Sequence, residues 1–443
     1  MSATAAAPGT AVGPRAPVRL GPRDGARVLG TVLAPLVAQG PILRRSTVVA
    51  LSERRGTDER AIALLHELGQ RWGYRPLLLR VGGHELLLPL DPHDARAVLD
   101  RSPEPFAAAS REKRAALRQL EPRAVLVAPT RARPPLRAWN EAALDLGRPV
   151  HGVADDLDAA LDDDAGAIAR LGLAGAVGFA EVDELLWATV RTLVLGPGAR
   201  DDVALTHDLQ RLRARANWSF LAPVDRRRRV RFAHRLAAHV ARAPRGSLAG
   251  YGRGLEGADD ALVTGQVPHW LFAFDAARIT LWRALAVVAA RPELQERLRA
   301  EAAGTGLREL PLARATVLET VRVWPTTLVI LRESTAVTRW GGQEVGAGAT
   351  VALVSAFLHR DPRSPAASGF HPGTEPDGLL TVPFSTGPVS CPGRDVVLHT
   401  VATLLSRLVR DARWQPVSHP GLAHDPLPGA LDHQRVRVRA ARA

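Results

Sequence analysis

The sequence predicts a single large domain, mainly α-helical, with small β-sheets. Apolar residues recur at helical spacing through most of the chain up to Pro325, and beyond it the pattern changes to short alternating runs broken by glycine. No internal repeat and no linker interrupts the 443 residues, a length that can bury one large core.

Residues 1–20, rich in Ala, Pro and Gly, read as a disordered arm ahead of a domain over 21–443. The arm lacks the continuous apolar core of a signal peptide. In DERAIALLHELGQRWG (Asp58–Gly73), Ile62, Leu64, Leu65 and Leu68 share a helical face and Gly73 is a stop. Pro76–Leu90 holds two apolar runs around Gly82 and Gly83, the pattern of a β-hairpin. Asp91 then caps a helix with acid in its first turn. Amphipathic helices fill the stretch from Glu141 to Ala290 and end in a long one from about Ala258, and Leu310–Trp324 predicts another. Residues 327–354 read as a small antiparallel sheet, and HQRVRVRA (His433–Ala440) as an exposed strand.

The net charge of +13 suggests nucleic acid until its source is seen. All but one of the 58 basic residues are arginine, Lys113 being the exception, with Ala, Gly and Pro also abundant. That is the mark of a GC-rich coding bias, so no nucleic-acid partner is expected, and a basic surface leaves only a weak preference for acidic proteins. With one cysteine no intrachain disulfide forms, which fits a reducing cytoplasm. No uninterrupted apolar stretch approaches the ~20 residues that span a bilayer, so no membrane association is expected.

That cysteine, Cys391, lies in VPFSTGPVSCPGRDVVLHTVATLLSRLV (Val382–Val409). Phe384, Gly387, Cys391 and Gly393 form the spacing F-x-x-G-x-x-x-C-x-G, and Val397, Val401, Leu404, Leu405 and Leu408 mark an apolar helix behind it. A cysteine just ahead of a helix meets free N–H groups and the positive end of the dipole, which favour an anionic sulfur. Pro392 suits a first helical position. Gly387 and Gly393 would let the backbone turn tightly against a flat ligand. Isolated cysteines are more often buried apolar side chains, and position alone does not decide.

The four-position spacing resembles the haem-ligand loop of the cytochrome P450 superfamily, whose cysteine is the axial thiolate of haem iron. Glu319 and Arg322 in LETVRVWPTTLVILRES match that family's E-x-x-R helix, a buried structural pair, and HRD (His359–Asp361) has a familiar place before the loop. The resemblance implies the cytochrome P450 fold and haem b ligated by Cys391, with Phe384, Gly387 and Gly393 against the cofactor. Arg332 matches a position that holds a haem propionate, and Arg137 or Arg133 in TRARPPLRAWNE matches another more loosely. It further implies a monooxygenase that activates O2 to hydroxylate or otherwise oxidise a small organic molecule, in secondary metabolism. No flavin, nicotinamide or iron–sulfur motif is found, so a separate ferredoxin and ferredoxin reductase are expected as partners of a monomer.

The departures are specific. Asp275 matches the acidic residue above the haem and is the expected proton relay, but the threonine that usually follows it is Ala276. Thr280 is one turn away, a poor substitute, and Arg278 is expected to make a surface pair with Asp275. The pocket is expected beside Phe272, Ala273 and Ala276. Val389 stands where Arg or His usually meets a propionate, and the arginine expected after Phe-x-Pro in FHPGTEPDG is missing, leaving Glu319–Arg322 without a third member. Two alternatives keep the haem: peroxide-driven or radical-coupling oxidation, and a haem-binding sensor or scaffold without turnover.

Other motifs carry less. GRGLEG (Gly252–Gly257) has the dinucleotide spacing without a preceding strand, so it reads as a loop. DRRRRVRFAHR (Asp225–Arg235) reads as a solvated arginine face, and His234 and His239, five apart, are not placed to share a metal.

Overall fold

The computed structural model describes residues 10–304, 308–374 and 379–442. The helices that position the site are α1 (Thr57–Trp72), α2 (Pro92–Asp100), α3 (Arg111–Leu117), α4 (Arg133–Ala143), α5 (Ala154–Ala174), α6 (Phe179–Leu195), α7 (Val203–Ala216), α8 (Arg226–Arg242), α9 (Asp260–Ala290), α10 (Pro311–Val323) and α11 (Arg394–Asp411). The strands are β1 (Thr10–Gly13), β2 (Val18–Arg19), β3 (Leu77–Val81), β4 (His84–Leu88), β5 (Phe106–Ala107), β6 (Val177–Gly178), β7 (Val329–Ser334), β8 (Thr338–Trp340), β9 (Gln343–Val345), β10 (Thr350–Val354), β11 (Ala412–Pro416) and β12 (Arg437–Arg442). They form three sheets, in the orders β1-β8-β9, β2-β3-β4-β10-β7-β5 and β11-β12-β6.

Local chemistry explains the boundaries. Gly73 ends α1 in the left-handed region, and Gly82 and Gly83 both take positive φ in the β3–β4 turn, as a tight hairpin requires. Asp91 Oδ1 accepts the His93 amide at 2.9 Å to start α2, and Asp259 Oδ1 accepts the Leu262 amide at 2.6 Å to start α9. Around α9 pack α6, α8, α10 and α11, with one large apolar core. A second core lies between the six-stranded sheet and helices α1 and α2, with Leu65, Leu68, Leu77, Leu87 and Val98 fully buried. The Cys391 loop runs between the two.

Three expectations change. Residues 10–19 are not a disordered arm: β1 pairs in parallel with β8 and β2 with β3, because sheet edges offered by distant residues satisfy their backbone. Residues 1–9 lie outside the described residues. Residues 327–354 do form antiparallel pairs, β7 with β10 and β8 with β9, but these belong to two sheets, and β10 also runs parallel to β4. The C-terminal strand β12 is central rather than exposed: it pairs with β11 and β6, burying Val438 and Ala440 while its arginines point outward.

The arginine run at the start of α8 is largely tied down, with Arg228 and Arg231 on Asp208 of α7, and Arg235 and His239 on Asp202. Among the described residues no helix is long and apolar enough to cross a membrane.

Candidate functional site

The Cys391 loop is built from main-chain hydrogen bonds. Cys391 N–H donates to the Phe384 carbonyl at 2.8 Å, Ser390 N–H to Gly387 at 3.0 Å, and Ser385 N–H to Val382 at 3.0 Å. Gly387 has φ +71°, and a Cβ there would meet the Leu99 carbonyl at 2.6 Å, so α2 presses on the loop at a point only glycine tolerates. Gly393 differs: it is the N-cap of α11 at φ −89°, and a Cβ there would meet nothing nearer than Leu144 at 3.9 Å. Helix α11 starts at Arg394, so Pro392 precedes the cap instead of opening the helix.

Cys391 is partly accessible, and its surroundings set the state of the sulfur. Burial pushes the thiol up, while a hydrogen bond from the Gly393 backbone and the charges of Arg137 and Arg394 pull the other way. The low thiol pKa expected from the helix start is therefore outweighed by desolvation. A thiolate here calls for a further positive charge on the sulfur, such as a metal ion.

Two arginines brace this loop from different elements. Arg137 on α4 donates from Nη2 to the Ser390 carbonyl at 2.7 Å and from Nε to Glu141 at 2.5 Å. Arg332 on β7 donates to Ser102 Oγ at 3.0 Å and to Ser385 Oγ at 3.1 Å. Ser385 sits at φ +60°, a costly conformation for a residue with a Cβ, and the Arg332 contact helps to hold it. Sequence reasoning missed Ser102 and Ser385. Arg133 is buried with one long bond, 3.5 Å to the Val125 carbonyl. Among the described residues neither Arg332 nor Arg133 has a carboxylate within 4.0 Å. Burial first, then Arg133, pushes Arg332 down to about 10. Two interior guanidinium groups without anions are what a pair of carboxylates would neutralise. Val389 is buried and offers no polar atom.

The Glu319–Arg322 pair is buried and bidentate, with both bonds at 2.7 Å. Arg322 also donates to the carbonyls of His359 and Ala367 at 2.9 Å and of Gly369 at 2.6 Å. The missing third member is replaced by main chain, since Glu319 Oε1 accepts the His371 amide at 2.8 Å. Residues 375–378 of that stretch lie outside the described residues. His359 Nε2 accepts the Val382 amide at 3.0 Å, tying this clamp to the segment entering the Cys391 loop.

On the other side runs α9. Most of its central residues are buried, yet His269, Phe272, Ala273 and Ala276 stay partly accessible along one stripe. The last three are the positions at which the pocket is expected, and the Arg213 guanidinium lies 4.5 Å over the Phe272 ring. The Thr280 hydroxyl donates to the Ala276 carbonyl at 2.9 Å and is thus occupied within its own helix.

Asp275 does not face this stripe as a free acid. Arg213 of α7 lies 2.7 Å from Oδ2, Arg278 bonds Oδ1, and Gln210 Nε2 is at 3.4 Å. Burial alone would push its carboxyl up, but Arg213 and Arg278 override that and hold it well below the usual carboxylate range. So held, it stays ionised at neutral pH and is no proton donor in this geometry. Arg278 is buried, not at the surface: it also pairs with Asp183 of α6 and lies 3.9 Å over the Trp187 ring. The expected surface pair and the expected relay both give way to one ion-pair cluster joining α6, α7 and α9.

Comparisons with known proteins bear on these residues. A profile of the family described as cytochrome P450 matches residues 263–427, which hold α9, the Glu319–Arg322 pair and Cys391. The chain is 27% identical over 195 residues to cytochrome P450 714C3 of Oryza sativa subsp. japonica, covering 40% of this chain and 38% of that protein. It is 27% identical over 180 residues to cyclooctat-9-en-7-ol 5-monooxygenase of Streptomyces melanosporofaciens, covering 37% and 39%. A third relative, abscisic acid 8'-hydroxylase CYP707A1 of Solanum lycopersicum, is 27% identical over 132 residues, 29% and 28% of the two chains. Each match spans less than two fifths of the relative's length. Among solved structures, retinoic acid bound cyanobacterial CYP120A1 superposes with a TM-score of 0.67 at 16% identity, covering 85% of this chain and 93% of that one.

Proposed function

We propose that this chain, which the cytochrome P450 profile matches over residues 263–427, is a member of that superfamily and a haem-thiolate monooxygenase acting on a small organic molecule. The observation that carries the reading is the Cys391 loop: a partly accessible sulfur between a glycine-dependent turn and a helix start, with Arg137 behind it. The residues present fit haem b. Cys391 would supply the axial sulfur, Phe384 and Gly387 the loop against the ring, and Arg332 with Arg133 or Arg137 the charges for the propionates. When bound, haem supplies the binding of O2 and the transfer of an oxygen atom to substrate, using two electrons and two protons.

The chain's own part is positioning. The Gly393 backbone hydrogen-bonds the sulfur and favours its anion. Arg137 and Arg332 fix the loop through Ser390 and Ser385. Phe272, Ala273 and Ala276, partly accessible on α9, would form an apolar wall for substrate. Ala276 has no hydroxyl to hold a proton, so proton delivery on this side falls to water or to the substrate. Electrons from a separate ferredoxin and reductase, a monomeric state and a role in secondary metabolism are carried by the family resemblance. A cytoplasmic location is supported by the lone, reduced cysteine. The relatives' names include cyclooctat-9-en-7-ol, abscisic acid and retinoic acid, which supports a small organic substrate.

The test is the carbon monoxide spectrum of the dithionite-reduced protein, wild type and Cys391→Ala. A strongly red-shifted Soret band, lost in the variant, is expected. Haem binding without that band removes Cys391 as thiolate ligand, and absence of haem overturns the reading. The missing hydroxyl at Ala276 and the engaged Asp275 favour a second reading, peroxide-driven or radical-coupling oxidation. Turnover with peroxide and no redox partners would select it.

A further inference from the structure

Helices α6, α9 and α11 meet without closing completely. Between Val190 and Leu193 of α6, Phe274 and Ala277 of α9, and Val401 and Leu404 of α11 they leave a cavity. It gives the centre of a water-sized molecule about 20 Å³ in which to move, where one such molecule needs roughly 10–15 Å³. Every residue that lines it is buried, so the space is interior. Its origin is short side chains: Ala277 ends at its Cβ, and Val190 and Val401 are stiff at χ1 and cannot swing in to fill it. With 3.6 residues per turn, Phe274, Ala277 and Leu281 lie on the side of α9 away from Phe272, Ala273 and Ala276. The cavity is therefore separate from the stripe at which the pocket is expected.

Its chemistry excludes most occupants. The Thr189 hydroxyl donates to Asp164 Oδ2 at 2.7 Å and the Thr400 hydroxyl to the Val396 carbonyl at 2.8 Å, so neither seeks a partner in the cavity. The Arg278 guanidinium is turned to Asp275 and Asp183, and only carbon faces the space. One group argues for water: Arg278 Nε is buried with no hydrogen-bond partner among the described residues. A water there would gain one partner, whereas buried waters commonly take about three. A dry apolar space of this size suits a diatomic gas and is too small for an organic substrate.

We propose that this cavity is a docking site for dioxygen, held by dispersion alone. The proposal rests on the haem-thiolate reading above, which makes dioxygen the second substrate, and deepens it by giving that substrate a place within the fold. Lining atoms around an empty space lack partners on one side, and a small apolar molecule restores part of that attraction. Ala277 directly follows Ala276, so the docking site and the face expected to meet substrate lie across one helix, about 10–12 Å wide with its side chains.

The carbon monoxide band of the haem-loaded protein is recorded first. An absent band strikes the haem-thiolate reading and the proposal with it; everything after a present band tests the cavity alone. Crystals are then pressurised with xenon, an apolar probe that diffraction locates, and one atom is expected among Val190, Ala277 and Val401. In solution the carbon monoxide complex, whose ligand stands in for dioxygen, is photolysed by a short laser pulse and rebinding is followed. A delayed phase from molecules lodged in the cavity is expected, and xenon should abolish it by taking their place. Ala277→Val and the milder Val190→Ile fill the space and should lose both the xenon atom and the delayed phase while keeping the carbon monoxide band. No xenon in the cavity overturns the proposal, as does an ordered water on Arg278 Nε in its stead. Xenon that binds there yet leaves rebinding unchanged overturns it too, since the cavity would then be a packing defect only. Competition by xenon needs no variant, so misfolding of Ala277→Val would not shelter the proposal.

Discussion

Behind Cys391 the charged side chains are held largely by main chain; around Asp275, in the middle of α9, they are held by one another. Arg322 places its guanidinium donors on Glu319 and three carbonyls, Glu319 takes the His371 amide, and Arg137 takes the Ser390 carbonyl. On α9, Asp275 holds two arginines and Arg278 also pairs with Asp183 of α6. The difference teaches that the two walls follow different constraints. A wall that fixes a sulfur must be rigid, and backbone partners give rigidity independent of neighbouring side chains. A cluster of paired side chains ties three helices together instead, and depends on all of them closing.

The largest effect should come from breaking the rigid wall. Arg322→Ala leaves Glu319 buried and unpaired and three carbonyls without donors, so a loss of about 3–5 kcal/mol is expected. Urea unfolding would show it, together with failure to retain haem; a variant that keeps both would mean the main-chain clamp is dispensable. Next comes Asp275→Asn, which strips the anion from between Arg213 and Arg278 and should cost about 3 kcal/mol while leaving the carbon monoxide band in place. A lost band would erase the distinction between the walls. The pH dependence has a definite sign. The folded-state pKa of Asp275 is depressed, so its stabilisation is complete above the ordinary carboxylate range and drains away as pH falls below it. The acid limb of a stability–pH curve should therefore flatten in Asp275→Asn. The smallest effects sharpen the description of the loop itself. Gly387→Ala should cost about 1–2 kcal/mol from φ alone, plus the clash with Leu99, whereas Gly393→Ala should be nearly silent in thermal melts. Equal effects would contradict the separate roles given to the two glycines.

What the sequence made legible follows from range. The hairpin at Gly82–Gly83, the stop at Gly73 and the Glu319–Arg322 pair depend on residues a few positions apart, and each is where the pattern put it. Long-range partners were not legible. Arg213 reaches Asp275 from another helix, the His371 amide stands in for an arginine side chain, and strands recruit residues 10–19 from what composition marks as an arm. The pattern of Asp275 and Arg278 gave their contact but not their burial, because burial depends on α6 and α7 closing over them. Ser385, strained and held by Arg332, carries no mark in the sequence at all.

The solitary amine has a practical side. Acylating reagents react with neutral amines and spare ammonium groups, and Lys113 is pushed down to about 7 in a chain with no other lysine. One fluorescent ester, applied near neutrality, would therefore tag a single side-chain amine, the one that donates to the Leu331 carbonyl, and the extent of tagging would report how tightly α3 is held against β7.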